Sequence, residues 1–283
     1  MRKLPGKIAA INDLAGYGRC SLAVMLPVIS ACGYQCCPMP TAVLSSSNDF
    51  AGPFVRELTD EMPRYMDHWE NLGLAFDGIY SGYLSSPEQM DSVQRFVTAF
   101  RKPDTVVLVD PVFGDHGRAS PRCNADLLRR YRELLRQADM ITPNLTEACY
   151  LADRPFEEDL AEASIDEVGR RLQAIGPRHV ILTGIRRGDR CCTYLYTEEE
   201  KHIVSAPYCT QERTGAGDLF ASILLSKYLD GCTLVEAAEQ AAEFLSRVLQ
   251  YTYEQRVPQN QGICFEPFLG QLVPGNDAET KKE

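Results

Sequence analysis

Short apolar runs and longer amphipathic stretches alternate along most of this chain. The short runs predict buried β-strands, which the sequence places at residues 7–12, 34–39, 78–81, 105–110, 140–142 and 179–183. The stretches with a 3.6-residue apolar period predict helices, which fall at residues 21–32, 87–100, 124–138, 144–152 and 165–175. Strands that alternate with helices at this spacing indicate right-handed crossovers and a parallel sheet.

The expected fold class is therefore α/β, as a three-layer α/β/α structure with a central, mostly parallel sheet. Residues 191–196 and 202–206 predict an antiparallel pair of strands, joined by an acidic turn at residues 198–201. Two more helices follow residue 218. Because no repeat, low-complexity tract or linker interrupts the pattern, we expect one domain over residues 1–283, with 270–283 as a frayed tail.

Composition narrows the class of partner. The net charge of −10 and the pI near 5.0 argue against nucleic acid and against anionic membrane surfaces, since both select a basic face. The first residues lack the apolar stretch of a signal peptide, and no apolar run approaches about 18 residues. We therefore expect a cytoplasmic protein whose 11 cysteines are reduced thiols acting mainly as small buried hydrophobes.

The most informative stretch is Arg213-Thr-Gly-Ala-Gly-Asp218, followed by an apolar helical run. Two glycines separated by one residue predict a tight turn that opens a helix. The first-turn amides of Gly215, Ala216, Gly217 and Asp218 would then form an anion site at the positive end of the helix dipole. An acid at such a site repels phosphate, but it can accept a proton from an attacking hydroxyl, so Asp218 is the candidate catalytic base. The alternative is that Asp218 only caps the helix.

Polar residues follow the ends of several predicted strands, where ligands bind in parallel sheets. They are Asn12-Asp13, Thr41, Ser81-Gly-Tyr83, Asp110, Asp115, Thr142 and Asn144 with Glu147, and Thr183-Gly184. Asp110, Asp115 and Glu147 offer hard oxygen ligands suited to Mg²⁺. An anion site, such carboxylates and a base together indicate phosphoryl transfer from a nucleotide to a hydroxyl. For each acid taken singly, an N-cap or a solvated loop is the alternative.

Other nucleotide-binding classes fit less well. The loop at residues 16–21 is close to a dinucleotide fingerprint, but Ser21 stands at the third glycine position and no acid follows the second strand. No GxxxxGK[ST] sequence occurs, and the protein-kinase signatures are also missing.

The residues from about 7 to 250 resemble the vitamin kinases of the ribokinase superfamily, in particular the pyridoxal kinases. The resemblance depends on Ser81-Gly-Tyr83, Asp110-Pro-Val-Phe-Gly-Asp115, Ile141-Thr-Pro-Asn144 with Glu147, and Gly215-Ala-Gly-Asp218-Leu-Phe-Ala. It implies a ribokinase-like fold, a homodimer, and MgATP-dependent phosphorylation of the 5′-hydroxymethyl group of pyridoxal, pyridoxine or pyridoxamine. K⁺ or Na⁺ is a further cofactor that the family suggests.

The resemblance also implies roles for individual residues. It places Asp218 as the base and the amides of Gly215, Ala216 and Gly217 against the transferring phosphate. It assigns the metal to Asp110 and Glu147 and the pyridoxal side to Tyr83, and it makes residues 114–122 a flap over ATP. The expected nucleotide-binding residues are Asp115, Thr142, Asn144, Thr183, Gly184 and Thr214.

Two departures from the family pattern lie in the expected vitamin pocket. Asp13 stands where many members have a serine, and residues 45–48 read Ser-Ser-Ser-Asn in place of Ser-Asn-His-Thr. With Thr41, the residues Asp13, Ser45 and Asn48 complete the predicted substrate-binding set. Hydroxymethylpyrimidine kinase activity, or a non-catalytic sensor with the same fold, remain the alternatives.

Overall fold

A computed structural model describes residues 4–209 and 213–275. Its main sheet has nine strands in the order β11-β10-β9-β8-β5-β4-β1-β2-β3. The six strands from β9 to β2 in that order are mutually parallel, while β3, β10 and β11 pair antiparallel at the two edges. The strands are β1 Lys7–Ala15, β2 Gln35–Leu44, β3 Val55–Glu57, β4 Gly78–Ser81, β5 Val106–Val109, β8 Met140–Ile141, β9 His179–Arg187, β10 Arg190–Tyr196 and β11 Lys201–Pro207.

Eight α-helices and one small hairpin complete the described regular structure, apart from two 3₁₀ segments near the C-terminus. The hairpin strands are β6 Gly114–Asp115 and β7 Arg118–Ala119. The helices are α1 Leu22–Ala31, α2 Met62–Asn71, α3 Pro87–Phe100, α4 Ala125–Leu135, α5 Leu145–Leu151, α6 Glu162–Gln173, α7 Ala216–Leu229 and α8 Leu234–Glu254. The 3₁₀ segments are Gln259–Gln261 and Glu266–Leu272.

Both faces of the main sheet are covered, which confirms the predicted three-layer α/β/α class. Side chains alternate along β1, so that Ala9 and Ile11 join the apolar cluster under α2 to α6, while Ile8 and Ala10 join the cluster under α1, α7 and α8. All four side chains are fully buried. A central strand buried on both faces is apolar throughout its regular part, as the sequence indicated.

Several boundaries differ from the sequence-based predictions. Strands β1, β2 and β9 continue beyond residues 12, 39 and 183, because the residues that follow still pair with neighbouring strands. Register shifts accompany two of these extensions, one between Asn12 and Leu14 and one opposite Gly184 in β10. Strand β3 and helix α2 were not predicted, since the polar and proline-containing segment around them shows little apolar periodicity.

The predicted frayed tail is partly wrong. Residues 270–272 belong to the second 3₁₀ segment, whose Leu272 is buried, and residues 276–283 lie outside the described residues. Among the described helices, none has the length and apolar character needed to cross a membrane. All 11 cysteines are free thiols.

Candidate active site

The predicted turn before α7 is present, and its geometry explains the glycines. Gly215 is the N-cap with a φ of 87°, and a Cβ there would lie 2.2 Å from the Arg19 carbonyl oxygen. Any larger residue would therefore meet both a strained backbone and a collision. The Ala216 amide donates to the Arg213 carbonyl at 3.2 Å, which differs from the predicted four free donors. The amides of Gly217 and Asp218 lie in the first turn, where a helix provides no internal acceptor.

Asp218 is half-buried in the first turn of α7, and two donors hold its carboxylate. The Ser21 backbone N–H donates to Oδ2 at 2.7 Å, and the Asn12 side-chain amide donates to Oδ1 at 3.1 Å. Burial raises the pKa of Asp218 to about 6, and the two donors oppose that rise. The carboxylate is therefore ionised at neutral pH and close to the protonation midpoint that suits a general base.

The Ser21 N–H reaches Asp218 through an unusual backbone. Ser21 has a φ of 52°, a conformation that costs non-glycine residues free energy. Its loop, residues 16–21, also brings Arg19 against the turn before α7. The glycines that suggested a dinucleotide fingerprint let the loop pack against the segment after β2, because a Cβ at Gly18 would lie 2.9 Å from the Ser47 hydroxyl.

Asp110 follows β5 and is 6% exposed. Burial, and then the nearby Asp218 carboxylate, raise the pKa of Asp110 to about 7, while the Thr142 and Tyr80 hydroxyls oppose the rise. The Tyr80 hydroxyl is 3.4 Å from Asp110 Oδ2. A Cβ on Gly217 would be 3.8 Å from the same oxygen, so Asp110 lies directly under the first turn of α7.

Glu147 has a larger structural role than the sequence indicated. It forms a capping box with Asn144 at the start of α5: Oε2 accepts the Asn144 amide at 2.9 Å, and the Asn144 side chain accepts the Glu147 amide at 3.0 Å. Oε1 accepts the amides of Phe113 and Gly114 at 3.0 and 3.4 Å. Burial, together with Asp110, holds the pKa of Glu147 well above its ordinary value.

The predicted flap, residues 114–122, contains the β6–β7 hairpin and is docked on α5. The Asn144 side chain donates to the Gly114 carbonyl at 2.8 Å, and the Gly117 amide donates to the Thr146 hydroxyl at 2.9 Å. Asp115 is exposed on the hairpin, with its carboxylate accepting the His116 amide at 2.8 Å. At its far end, Arg122 donates to Glu57 on β3 at 2.6 Å.

The other predicted nucleotide-side residues are Thr142 after β8, Thr183 and Gly184 within β9, and Thr214 before α7. Thr142 is buried beside Asp110, and Thr183 forms a bridge to Asn144 with its amide donating to the Pro143 carbonyl at 3.0 Å. Gly184 is exposed with a φ of 72°. Thr214 donates its hydroxyl to Asp49 Oδ2 at 2.5 Å. A cleft of about 430 Å³ opens beside these elements, lined by Asp49, Asp115, His116, Arg213, Thr214, Gln259 and Asn260.

The predicted vitamin-side residues divide into two groups. Asp13 is 6% exposed, accepts the Ser21 hydroxyl at 2.6 Å, and has a raised pKa because of burial, so it lies beside the base. Tyr83 is half-buried, and its amide donates to Asn12 at 3.0 Å. Ser45 and Asn48 are exposed, and the Ser45 hydroxyl accepts the Phe54 amide at 2.9 Å.

Thr41 does not fit its predicted role. Its side chain has no exposed surface, and its hydroxyl donates to the Tyr83 carbonyl at 3.3 Å. The residue lies inside β2, one strand away from β4, because β2 extends past the point where the sequence placed its end. We therefore assign Thr41 to the support of Tyr83 and not to ligand contact.

Three contributors were missed as site residues: Asn12, Ser21 and Asp49. Asn12 and Ser21 hold Asp218, and Asp49 binds Thr214 and lines the cleft. A polar residue at the end of an apolar strand was a visible signal for Asn12. Nothing local marks Ser21, since its contribution comes from its backbone.

The acids of the site fit a hydrated divalent cation. Asp110 and Glu147 are both buried, the Asp110 carboxylate contributes to the raised pKa of Glu147, and their oxygens are hard ligands. Within residues 4–209 and 213–275, no group of three or more histidine, cysteine, aspartate or glutamate side chains could hold a metal ion. Two buried carboxylates are the kind of ligand that suits Mg²⁺, which takes one or two carboxylates and fills its remaining positions with water and phosphate oxygens.

Comparison with known sequences identifies the family. Residues 71–263 match the sequence model of the phosphomethylpyrimidine kinases, which is more than half of the chain. The chain belongs to this kinase family. Its relatives include a pyridoxal kinase of Actinobacillus pleuropneumoniae, which is 30% identical over 206 residues that cover 68% of this chain and 69% of the relative.

Solved structures of the same family match the whole fold. A Bacteroides thetaiotaomicron protein, named as a phosphomethylpyrimidine kinase and crystallised with pyridoxal, is 37% identical with a TM-score of 0.90. The match covers 95% of this chain and 96% of that one. Pyridoxal kinase from Lactobacillus plantarum is 26% identical with a TM-score of 0.88, over 94% of this chain and 96% of its own. The ribokinase-like fold is thereby confirmed.

Proposed function

We infer that this protein is a kinase that uses ATP to phosphorylate the 5′-hydroxymethyl group of a B6 vitamer. The observation that carries the inference is the Asp218 carboxylate, held by two donors at the N-terminus of α7 beside first-turn amides. A base next to an anion site suits transfer of a phosphoryl group to an alcohol. Pyridoxal kinases among the relatives, and the pyridoxal in the Bacteroides crystal, support the choice of alcohol.

The residues divide the chemistry between proton transfer and charge stabilisation. Asp218 accepts the hydroxyl proton while the alcohol oxygen forms its bond to the γ-phosphorus and the bond to the ADP oxygen breaks. The amides of Gly217 and Asp218, with the helix dipole behind them, stabilise negative charge on the transferring group. The docked flap would keep water from competing with the alcohol.

Asp110 and Glu147 are the proposed residues for Mg²⁺, which supplies charge neutralisation at the nucleotide phosphates. We propose that the nucleotide is bound by Thr142, Asn144, Thr183, Gly184, Thr214 and Asp115. We propose that the vitamin is bound by Asp13, Tyr83, Ser45 and Asn48. The proposals of one domain over the whole chain, a homodimer, a K⁺ or Na⁺ requirement and a cytoplasmic location rest on the resemblance and on sequence features alone.

A panel of alcohols tests the function directly. Purified protein is given MgATP with pyridoxal, pyridoxine, pyridoxamine or 4-amino-5-hydroxymethyl-2-methylpyrimidine, and ADP release and the mass of the product are measured. We expect ADP release that depends on a B6 vitamer and a 5′-phosphorylated product, with Asp218→Asn as a control of strongly reduced activity. Turnover of the pyrimidine alone would assign the protein to the hydroxymethylpyrimidine kinase alternative.

A further inference from the structure

Asn12 lies at the end of the regular part of β1 and is 1% exposed. Its side-chain oxygen accepts two backbone amides, from Asp13 at 2.9 Å and from Tyr83 at 3.0 Å. Because both partners are donors, they fix which end of the Asn12 amide is oxygen and which is nitrogen. The NH₂ group is consequently directed at Asp218 Oδ1, 3.1 Å away, and also approaches the Met25 sulfur at 3.4 Å.

The chain just after β4 packs closely against the Asn12 side chain. Gly82 follows β4, and a Cβ on it would lie 2.3 Å from Asn12 Nδ2 and 2.7 Å from Asn12 Cγ. A side chain at position 82 would therefore displace the Asn12 amide from Asp218. The requirement for glycine here comes from contact and not from backbone angles, since Gly82 has no positive φ.

We propose that Asn12 is a positioning residue for the proposed reaction: its NH₂ group and the Ser21 N–H each hold one oxygen of Asp218 and so fix the carboxylate plane towards the substrate hydroxyl. The inference rests on the proposed function. Among the described residues, each oxygen receives one hydrogen bond, which leaves a lone pair for the proton. This arrangement orients the carboxylate and leaves it able to accept the proton.

The hydrogen bond from Asn12 also favours the ionised form of Asp218, which the neighbouring titratable groups disfavour. The titratable groups that face Asp218 are Asp13 on β1, Cys20 before α1, Tyr80 on β4 and Asp110 after β5. A negative charge on any of them disfavours a second one on Asp218. Among the described residues, the hydrogen bonds that lower the pKa of Asp218 are those from Ser21 and Asn12.

The test replaces the donor while keeping the acceptor. Asn12→Asp preserves an oxygen for the amides of Asp13 and Tyr83, but places a carboxylate where the NH₂ group met Asp218. We expect kcat/KM at pH 7 to fall roughly 10- to 100-fold, the acid limb of its pH profile to move up by about one pH unit or more, and activity to recover in part at high pH. Met25→Leu, which alters the other neighbour of Nδ2, is the matched control and should keep the wild-type profile.

A loss of activity that is equal at every pH, or an unchanged profile, would overturn the proposal and leave Asn12 as a structural residue. Gly82→Ala provides a second variant with no added charge, and it should move the acid limb in the same direction. The comparison uses whichever alcohol the wild-type protein phosphorylates, so a wrong vitamin assignment does not affect it. For a protein without turnover, the carboxyl ¹³C titration of Asp218 in wild type and Gly82→Ala replaces kinetics, and an unmoved midpoint would contradict the proposal.

Discussion

At the residue scale, the site depends on carboxylates whose surroundings differ although they lie close together. Asp218 has two donors and a pKa of about 6, whereas Asp110 has a pKa of about 7 because burial and Asp218 both disfavour its charge. A base must be ionised to accept a proton, and the two donors on Asp218 favour its ionised form, whereas a cation would favour the ionised form of Asp110.

Asp218→Asn should reduce kcat by roughly 10²- to 10⁴-fold with little change in nucleotide affinity, since only the proton acceptor is lost. In the wild-type protein, kcat/KM should fall as the pH drops below about 6, where Asp218 takes up a proton. Steady-state kinetics and nucleotide titration measure both quantities. Retention of more than about a third of wild-type turnover would exclude the base role.

Asp13 is the residue at which substrate choice should be decided. The Ser21 hydroxyl donates to one of its oxygens, and a buried carboxylate favours a ligand that brings a donor or a positive charge. We expect kcat/KM to rank pyridoxamine or the aminopyrimidine above pyridoxal, and Asp13→Ser to narrow that gap by about 1 to 3 kcal/mol. Identical rankings in both proteins would mean that Asp13 serves only to hold Ser21.

At the element scale, the start of α5 joins a helix cap, the flap and the proposed metal site through Glu147. The same carboxylate that closes the capping box also accepts two amides of the flap segment. A change at this residue should therefore affect both helix stability and the metal requirement.

Glu147→Gln should raise the Mg²⁺ concentration for half-maximal activity more than it changes the KM for the vitamin, because one buried carboxylate charge is lost. Its effect on stability combines the weakened cap, which costs about 1 kcal/mol, with the loss of a buried charge whose raised pKa opposes folding at neutral pH. The matched control is Glu236→Gln in the exposed capping box of α8, which should lower stability without moving the metal titration. Equal metal titrations in wild type and Glu147→Gln would remove Glu147 from the metal site.

The flap depends on a glycine at its turn. Gly117 has a φ of 72°, and a Cβ there would lie 2.5 Å from the Phe156 ring. We expect Gly117→Ala to displace the hairpin and to change kcat and the KM for ATP together, by roughly 3- to 10-fold. Gly188 has a φ of 62° and no atom within 4 Å of an added Cβ. Gly188→Ala should therefore lower stability only through the strained backbone conformation and leave the kinetics unchanged. Similar kinetics in the two variants would contradict a flap role in ATP binding.

At the scale of the whole molecule, the buried acids should oppose folding at neutral pH. A carboxyl whose folded-state pKa is raised holds its proton more tightly when folded, so stability is lost as the pH rises from about 4, the ordinary value, to about 7 for Asp110. Function and stability are then in conflict at this site, as is usual for catalytic clusters of like charge.

Asp110→Asn should consequently raise the free energy of unfolding at pH 8 by up to several kcal/mol and change it little at pH 4, while abolishing stabilisation by Mg²⁺. Denaturant unfolding at the two pH values, with and without Mg²⁺, measures this. Asp104→Asn, in the exposed turn before β5, is the control and should behave as wild type. A mutant that is less stable than wild type at pH 8 would show that the ionised Asp110 carboxylate does not destabilise the folded protein.

The family resemblance supplied most of the proposed site because its motifs are local. The turn at Gly215 to Asp218 and the Asn144–Glu147 cap are set by residues within four positions of each other, so backbone angles and capping preferences are visible in the sequence. The apolar periodicity likewise predicted the central strands and most of the helices, since burial on one or both sheet faces follows directly from it.

Only the tertiary structure decided which residues hold the base. Asn12 and Ser21 lie about 200 positions from Asp218 along the chain, and they reach it because α7 packs against α1 and β4 and a strained loop turns the Ser21 N–H inward. Thr41 was misplaced for the complementary reason, since strand length depends on pairing partners that no local pattern specifies. Local sequence determines elements and turns, whereas contacts between distant segments depend on how those elements pack.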